Sequence, residues 1–264
     1  MLQLTRSFCL DTIASELLSV AKKNGAESAD ALIASGTSTS VSVRSRNLEL
    51  SERSEVLDVG LRVFIGKKQA IVSGSNICSQ TIAEMASRAI AMAKEAPEDP
   101  YCGLASREQF ITDWEISDYD LCDPSEEPTA QILEHDAKSV ENAAMAYDGI
   151  NQVGDAIASY SKSDIFLATT AGFFGGYSKT LRGLSCVAIA GTGLGMERDY
   201  DFDSRIYGAD MRSPDEIGLV AAKRALARLQ PRKPKTGAYP VLFDERVAAS
   251  LISHFLAASN GASV

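Results

Sequence analysis

The sequence has little of what disulfide-stapled, metal-binding or membrane-spanning proteins need. It contains two histidines and five cysteines among 264 residues. No two cysteines have CxxC spacing, so the sequence predicts neither a zinc knuckle nor a thioredoxin-type motif, and reduced, mostly buried thiols are the favoured interpretation. No apolar run approaches the ~18 residues of a membrane-spanning helix. Asp11 and Glu16 interrupt the apolar pattern of the N-terminal segment, which is untypical of a secretory signal and favours a cytoplasmic protein.

Basic residues are also in deficit. Lysine and arginine number 26 against 35 aspartates and glutamates, which gives a net charge of −9. Because binding to nucleic-acid phosphates requires a basic face, this balance argues against a nucleic-acid-binding protein. The length predicts roughly two domains and is sufficient for a hydrophobic core without disulfides.

Both halves of the sequence show the same order of elements. In the first half, helical spacing at residues 8–23 is followed by alternating apolar residues at 31–72 and a helix at about 79–94. In the second half, a helix at about 129–147 precedes β segments at 153–161, 165–170, 173–190 and 194–207, and a capping box at Ser213 opens another helix that runs to about Leu229. The predicted fold class is α+β, with two modules of helix, four or so antiparallel strands, and helix.

We therefore predict an N-terminal α+β module at residues 1–100 and a central α+β module at residues 129–230. Between them, residues 101–128 are acidic, contain proline, and read as a linker or surface crossing, with an acidic docking strip at residues 113–127 as the alternative. Residues 236–264 contain a predicted strand at 239–243 and an apolar helix at 245–258. They resemble the start of a further C-terminal unit, so we expect the chain to be the N-terminal portion of a longer protein.

Three carboxylates stand at alternate positions in the last predicted strand: Asp199, Asp201 and Asp203. In a strand they would share one face, with Tyr200 and Phe202 on the other. A calcium-binding loop would need glycine and glutamate at fixed later positions, and the sequence lacks them. The favoured interpretation is a solvent-exposed acidic strand, and the alternative is a cleft wall that binds a basic peptide.

Other candidate sites have simpler interpretations. His135 lies among charged residues on a helical face and is expected in solvent, whereas His254 in an apolar helix is expected in the core or at an interface. The glycines of residues 191–195 have GxGxG spacing with no helix after them, so a hairpin is expected rather than a phosphate loop. There is no GxSxG elbow. The residues by themselves therefore define no active site.

An ordered series of segments resembles the PmbA branch (also called TldE) of the TldD/PmbA family. The segments are DGI (148–150), TTAGF (169–173), GMERDYD (195–201), PDEIG (214–218), AKRALA (222–227) and TGAYPVLFDERVAASL (236–251). The resemblance covers nearly the whole chain and is strongest from Asp148 onward.

The resemblance implies a link to proteolysis. Family members are known as modulators of DNA gyrase and as a two-subunit zinc peptidase that processes a microcin precursor and degrades an antitoxin. The TldD-type subunit carries HExxxH on a helix, with two zinc-binding histidines and a glutamate base. The matching positions here are Ser253, His254 and Ala258, so the motif is degenerate. We expect no zinc on this chain and zinc in a TldD-like partner.

The resulting hypothesis is a non-catalytic subunit that pairs with a TldD-like metallopeptidase and helps to enclose a chamber. Exposed sheet edges would add an extended peptide substrate as a further strand, and Asp199, Asp201 and Asp203 would contact it. A homodimer is an alternative assembly. One alternative function is a metallopeptidase in its own right, with metal ligands beyond Val264. Another is a direct DNA gyrase modulator with an acidic surface that resembles DNA.

Overall fold

The structure is a computed structural model that describes residues 2–75, 77–111 and 119–261, with side chains from Leu10 onward. Residues 112–118 of the predicted acidic segment lie outside the described residues. The chain divides into two compact units, Met1–Leu229 and Gln230–Val264.

The first unit contains four α-helices and six β-strands within the described residues. In chain order they are α1 (Leu2–Lys23), β1 (Ser28–Arg44), β2 (Asn47–Ile65), β3 (Lys68–Gly74), α2 (Ser79–Glu95), α3 (Ala130–Met145), β4 (Ile150–Thr169), β5 (Phe174–Ala190), β6 (Glu197–Arg205) and α4 (Pro214–Ala227). The predicted α+β class is confirmed.

All six strands form one antiparallel sheet in the order β3-β2-β1-β4-β5-β6. The two runs of strands meet where β1 pairs with β4, from Asp30 opposite Thr169 to Val43 opposite Ala156. Each half contributes three strands instead of the predicted four or so. The prediction was wrong because it divided β1 and β4 at their polar middles, where backbone hydrogen bonds to neighbours on both sides continue the strand without apolar alternation.

The hairpin that joins β1 and β2 is fastened to a helix. The turn between β1 and β2 is centred on Ser45 and Arg46, which both have positive φ (52° and 65°) although neither is a glycine. Glu141 on α3 is buried, and its carboxylate accepts the Arg46 backbone N–H at 2.8 Å. This bond fastens the turn to a helix and gives the buried carboxylate a partner.

The helices of this unit pack on one face of the sheet as two pairs. α1 and α2 cover one hydrophobic core, which includes Ala31, Ile33 and Leu61 from the strands. α3 and α4 cover a second core, which includes Val41 and Cys186.

Between the cores, the helix side of the sheet carries a polar belt. Its members are Thr37, Thr39, Lys162, Asp164, Ser178 and Thr180.

The other sheet face, called here the open face, has none of α1–α4 packed on it. Serines occupy its centre, and large apolar side chains that are about half exposed surround them: Leu32, Leu50, Val56, Tyr200 and Phe202.

Small residues allow α3 and α4 to approach closely. A Cβ atom added at Gly218 on α4 would lie 2.5 Å from the Val140 backbone oxygen and 2.8 Å from Ala143 Cβ. The backbone oxygen cannot rotate away, so the helix pair must separate to admit a methyl group.

We therefore expect Gly218→Ala to destabilise the protein by about 1 kcal/mol. Overpacking costs about 1–3 kcal/mol and outweighs the gain of ~1 kcal/mol in helix propensity. Urea unfolding followed by circular dichroism measures the change. Gly60→Ala is the control, because its added Cβ would meet only the Leu32 oxygen at 3.8 Å. Equal or greater stability of the Gly218 variant would contradict the close approach.

The second unit contains one helix among its described residues, α5 (Glu245–Ala258). The predicted helix is confirmed, and the Asp244 side chain caps it by accepting the Arg246 backbone N–H at 3.0 Å. The predicted strand at 239–243 is absent, because no described strand pairs with it and Pro240 removes a donor. Across the described residues, no helix combines the length and apolarity needed to cross a lipid bilayer.

Candidate functional site

The three alternating aspartates lie on β6, the last strand of the sheet. Asp199, Asp201 and Asp203 share one face as predicted, and Tyr200 and Phe202 lie on the other with ring centroids 6.2 Å apart. The acidic face is buried, with relative exposures of 6%, 4% and 8%. The interpretation as a solvent-exposed acidic strand is therefore wrong, because this face turns towards α4 and its arginines.

Arginines of the same chain neutralise these carboxylates. Asp199 Oδ2 lies 2.6 Å from Arg228 Nε, and Asp201 Oδ1 lies 2.5 Å from Arg224 Nη1. Asp203 Oδ1 lies 3.1 Å from Arg205 Nε. Buried carboxylates require partners of this kind, because desolvation without them is costly.

Arg212 links two of the three aspartates. Its Nη2 lies 2.8 Å from Asp201 Oδ2, and its backbone N–H donates to Asp203 Oδ2 at 2.9 Å. Asp201 Oδ2 makes no hydrogen bond of good geometry, so its attraction to Arg212 is mainly Coulombic. We call Asp199, Asp201, Asp203 and the four arginines the β6–α4 charge cluster.

Two arginines of the β6–α4 charge cluster also bind the backbone of β6. Arg212 Nη2 donates to the Phe202 carbonyl at 2.7 Å, and Arg224 Nη1 donates to the Tyr200 carbonyl at 3.4 Å. Carbonyls two residues apart point to the same side of a strand. The arginines thus occupy carbonyls along one side of an edge strand, where open backbone groups would otherwise invite another strand.

The charge cluster shifts the pKa of two of its members. Burial by itself would raise the pKa of the Asp203 carboxyl, but the Arg212 backbone N–H and the Arg205 side chain lower it overall. Burial opposes the charge of Arg212, yet Asp201 and Asp203 raise the pKa of this guanidinium. Both groups therefore stay charged throughout the neutral range.

We expect Asp201→Asn to lower the free energy of unfolding by about 2 kcal/mol, because two partly buried arginines lose their shared anion. Breaking fully buried pairs costs about 3–5 kcal/mol, and Arg212 and Arg224 keep some access to water. Urea unfolding at neutral pH measures the loss. Glu52→Gln on an exposed position is the matched control, and an equal effect in both variants would contradict the charge cluster's role.

The lowered pKa of Asp203 predicts an acid-dependent contribution to stability. Since the folded-state pKa lies below the unfolded-state value, the contribution is present at neutral pH and is lost as pH falls through the folded-state pKa. The stability difference between the wild type and Asp203→Asn should therefore be larger at about pH 7 than at about pH 3. Chemical unfolding at both pH values tests this, and a constant difference would be the contrary result.

The three aspartates are brought together, but with arginines of their own chain. Their predicted contact with a peptide stays a prediction, since a basic peptide would have to displace Arg212, Arg224 or Arg228. Sequence reasoning missed these arginines, although Arg224 and Arg228 stand four residues apart on one helical face.

The positions matching HExxxH lie on α5. Ser253 donates its hydroxyl to the Ala249 carbonyl at 3.2 Å, and Ala258 is the last residue of the helix. His254 is exposed, so it is not a core residue of this chain, and its alternative placement at an interface stays a prediction. Serine is a poor zinc ligand and alanine offers none, so this residue set does not fit a zinc ion. Among the side chains that the structure describes, no three of His, Cys, Asp or Glu group closely enough to hold a metal.

The remaining predicted features are mostly confirmed. His135 is exposed on α3, and residues 191–195 form the connection between β5 and β6. Among the four cysteines with described side chains, only Cys186 is buried, so the prediction of mostly buried thiols is wrong. Burial raises the pKa of the Cys186 thiol to about 12.

The described part of the acidic segment, residues 119–128, crosses the polar belt and is bonded to it. The Thr180 N–H donates to the Leu121 carbonyl at 3.0 Å, and Asp123 accepts the Gly208 N–H at 2.8 Å. Glu127 forms an ion pair with Arg53 of β2. The Gly208 and Ser125 hydrogen bonds lower the pKa of Asp123. This part of the segment is thus a surface crossing held by specific bonds.

Comparison with known proteins places this architecture in a family. Residues 29–93 match the PmbA/TldA metallopeptidase domain 1, and residues 120–229 match the PmbA/TldA metallopeptidase central domain. The chain belongs to the PmbA/TldD metallopeptidase family.

Its curated relatives include proteins named PmbA. It is 31% identical to metalloprotease PmbA of Escherichia coli O157:H7, over 94% of this chain and 54% of that protein. It is 29% identical to the PmbA homolog of Haemophilus influenzae, over 93% and 54%. The chain therefore spans about half the length of the curated relatives it matches.

Solved structures share the fold at low identity. A candidate modulator of DNA gyrase from Bacteroides thetaiotaomicron has a TM-score of 0.85 at 20% identity, covering 96% of this chain and 57% of that one. TldE from Thermococcus kodakarensis has a TM-score of 0.65 at 14% identity, covering 83% and 47%.

Proposed function

We propose that this chain is a non-catalytic, PmbA/TldE-type subunit of a TldD/TldE-type metallopeptidase system. It assists the proteolysis or maturation of peptides of the microcin-precursor and antitoxin class by a TldD-like zinc subunit. The observation that carries this proposal is the chemistry of α5, where Ser253, His254 and Ala258 occupy the positions that match HExxxH. One imidazole cannot supply the three protein ligands typical of a catalytic zinc site.

The proposed division of labour places zinc in the TldD-like partner and none on this chain. The partner's metal would activate the water that cleaves the peptide bond. This chain would bind and orient the substrate and help to enclose the chamber. We propose a cytoplasmic location, as expected for a system that acts on intracellular peptides.

The open face supports contact with an extended peptide. Its centre carries Ser38, Ser40, Ser159 and Ser161, whose hydroxyls can donate to or accept from any peptide backbone. The apolar residues around this centre, such as Leu50 and Phe202, offer contact area without charge selectivity. This combination suits a substrate path with little selectivity for the amino-acid sequence of the peptide.

The two edges of the sheet differ in their capacity to add a strand. The β6 edge has carbonyls occupied by Arg212 and Arg224. At the other edge, no described side chain bonds to the backbone of β3, and Ile71 is 60% exposed. We therefore propose strand addition at β3, with main-chain hydrogen bonds supplying affinity. The predicted contact of Asp199, Asp201 and Asp203 with a basic peptide is a separate proposal that requires exchange of their arginines.

We also propose that residues 1–100 and 129–230 are two modules, that residues 101–128 connect them, and that residues 236–264 begin a C-terminal unit. The two hydrophobic cores and the two matched family domains support the first division. The modules would share one sheet through β1 and β4.

Zinc analysis tests the non-catalytic assignment. Elemental analysis of the full-length protein purified without its partner should give well below one zinc per chain, and the protein alone should not hydrolyse peptides. Addition of a TldD-like subunit should produce hydrolysis. One tightly held zinc per chain, with activity in the absence of the partner, would instead show a metallopeptidase with ligands beyond Val264.

The choice of edge predicts a difference between two matched substitutions. Ile71→Lys at β3 should raise the KM of the complex for peptide severalfold, because a lysine at an edge opposes strand addition. Ser204→Lys, at an exposed β6 position outside the apolar residues of the open face, is the control and should leave KM close to the wild-type value. Steady-state kinetics with equal zinc content in all samples measures both, and the reverse ranking would move the peptide to β6.

A further inference from the structure

A cavity of about 520 Å³ lies on the helix side of the sheet, over the polar belt. The strands supply Asp164 and Phe166 to its wall, α1 supplies Leu10, and the acidic crossing segment supplies Asp120 and Cys122. Tyr207, just after β6, completes this part of the lining. The volume is within the range of small-molecule sites, which is about 300–1,000 Å³.

The charged side chains that line this cavity are all acidic among the described residues. Asp120 and Asp164 line the cavity, and no lysine or arginine does so among the described residues. Neither carboxylate has an ion-pair partner in the part of the chain that the structure describes. Asp164 accepts a hydrogen bond from the Ser178 hydroxyl, which leaves acceptor capacity on the carboxylate. Lys162 stands two residues away on the same face of β4 but does not line the cavity.

Two arginines on neighbouring strands are already paired with other acids. Arg53 pairs with Glu127, and Arg182 pairs with Asp136 at 2.6 Å. Burial, together with the negative charges of Asp120 and Asp123, raises the pKa of the Tyr207 hydroxyl. This direction agrees with a negatively charged environment around the cavity. Among the described residues, Lys162 forms no ion pair with either cavity carboxylate, so an arriving cation would meet carboxylates that have no ion-pair partner.

The same wall offers apolar and aromatic surface. Leu10 and Phe166 are hydrophobic, and the Tyr207 ring can face a cation through its π-electrons. Carboxylates next to apolar and aromatic groups complement an ammonium group on an alkyl chain better than they complement a hydrated metal ion, which prefers oxygen ligands all round.

We propose that this cavity binds a primary alkylammonium group. The carboxylates of Asp120 and Asp164 receive the charged end, and Leu10 and Phe166 contact the alkyl chain. The group could belong to a free aliphatic amine or to a lysine side chain, and both present the same chemistry to the cavity. The site faces away from the open face, so it is separate from the proposed substrate path.

Isothermal titration calorimetry of the purified 264-residue chain with n-butylammonium chloride tests the proposal. The neutral isostere n-butanol is the control ligand and should bind at least about tenfold more weakly, since it lacks the charge. A third titration uses lysine with blocked amino and carboxyl ends. Binding of both amines assigns the site to lysine side chains as well, whereas binding of butylammonium alone assigns it to free amines.

Substitutions locate the site. Asp164→Asn should weaken butylammonium binding about tenfold or more, while Asp58→Asn, an exposed acid on the open face, should leave it unchanged. Equal binding of alcohol and ammonium by the wild type, no binding of either amine, or equal loss in both variants would overturn the proposal. The comparison of ligands on the wild type remains decisive if the Asp164 variant does not fold.

Discussion

The pairing of β1 with β4 is the interaction on which the rest of this structure depends. It joins strands from the two halves over the whole interval from Asp30 to Val43. The sheet is continuous, and all four helices of the first unit pack on one face of it, so the open face carries none of them. The two cores then leave a polar belt between them, and the acidic crossing segment, the cavity and the β6–α4 charge cluster all occupy positions that this arrangement creates.

Much of the local structure could be predicted from the sequence, because helical spacing, alternation and capping are local signals. The long-range pairing could not, since the polar residues in the middle of β1, from Ser35 to Ser40, carry no alternating signal. What holds them in the sheet is hydrogen bonding to β2 and β4. The predicted strand at 239–243 failed for the opposite reason, as its apolar residues have no described neighbour to pair with.

At the candidate site, too, local sequence patterns predicted the strand but not the elements that pack against it. The alternating sequence pattern correctly placed Asp199, Asp201 and Asp203 on one face of the strand. The two-residue period of a strand does not by itself say which face another element will cover. The missing information was in α4 and the residue after it, because Arg224 and Arg228 repeat at helical spacing. Acids spaced by two in a strand and arginines spaced by four in the next helix are complementary patterns. For α5, the residue types at Ser253 and Ala258 were informative without any structure, because neither side chain is a useful zinc ligand.

The guanidinium groups on the backbone of β6 also limit how copies of this chain could associate. A sheet with two receptive edges can extend without end, each copy joining the next head to tail, as in a fibril. Because arginines of the same chain occupy carbonyls of the β6 edge, another copy could add a strand only at the β3 edge. Two copies that pair through their β3 edges form a closed two-fold dimer, which leaves no free β3 edge for further growth. The same arginines that neutralise three aspartates would therefore oppose head-to-tail pairing between copies of this chain.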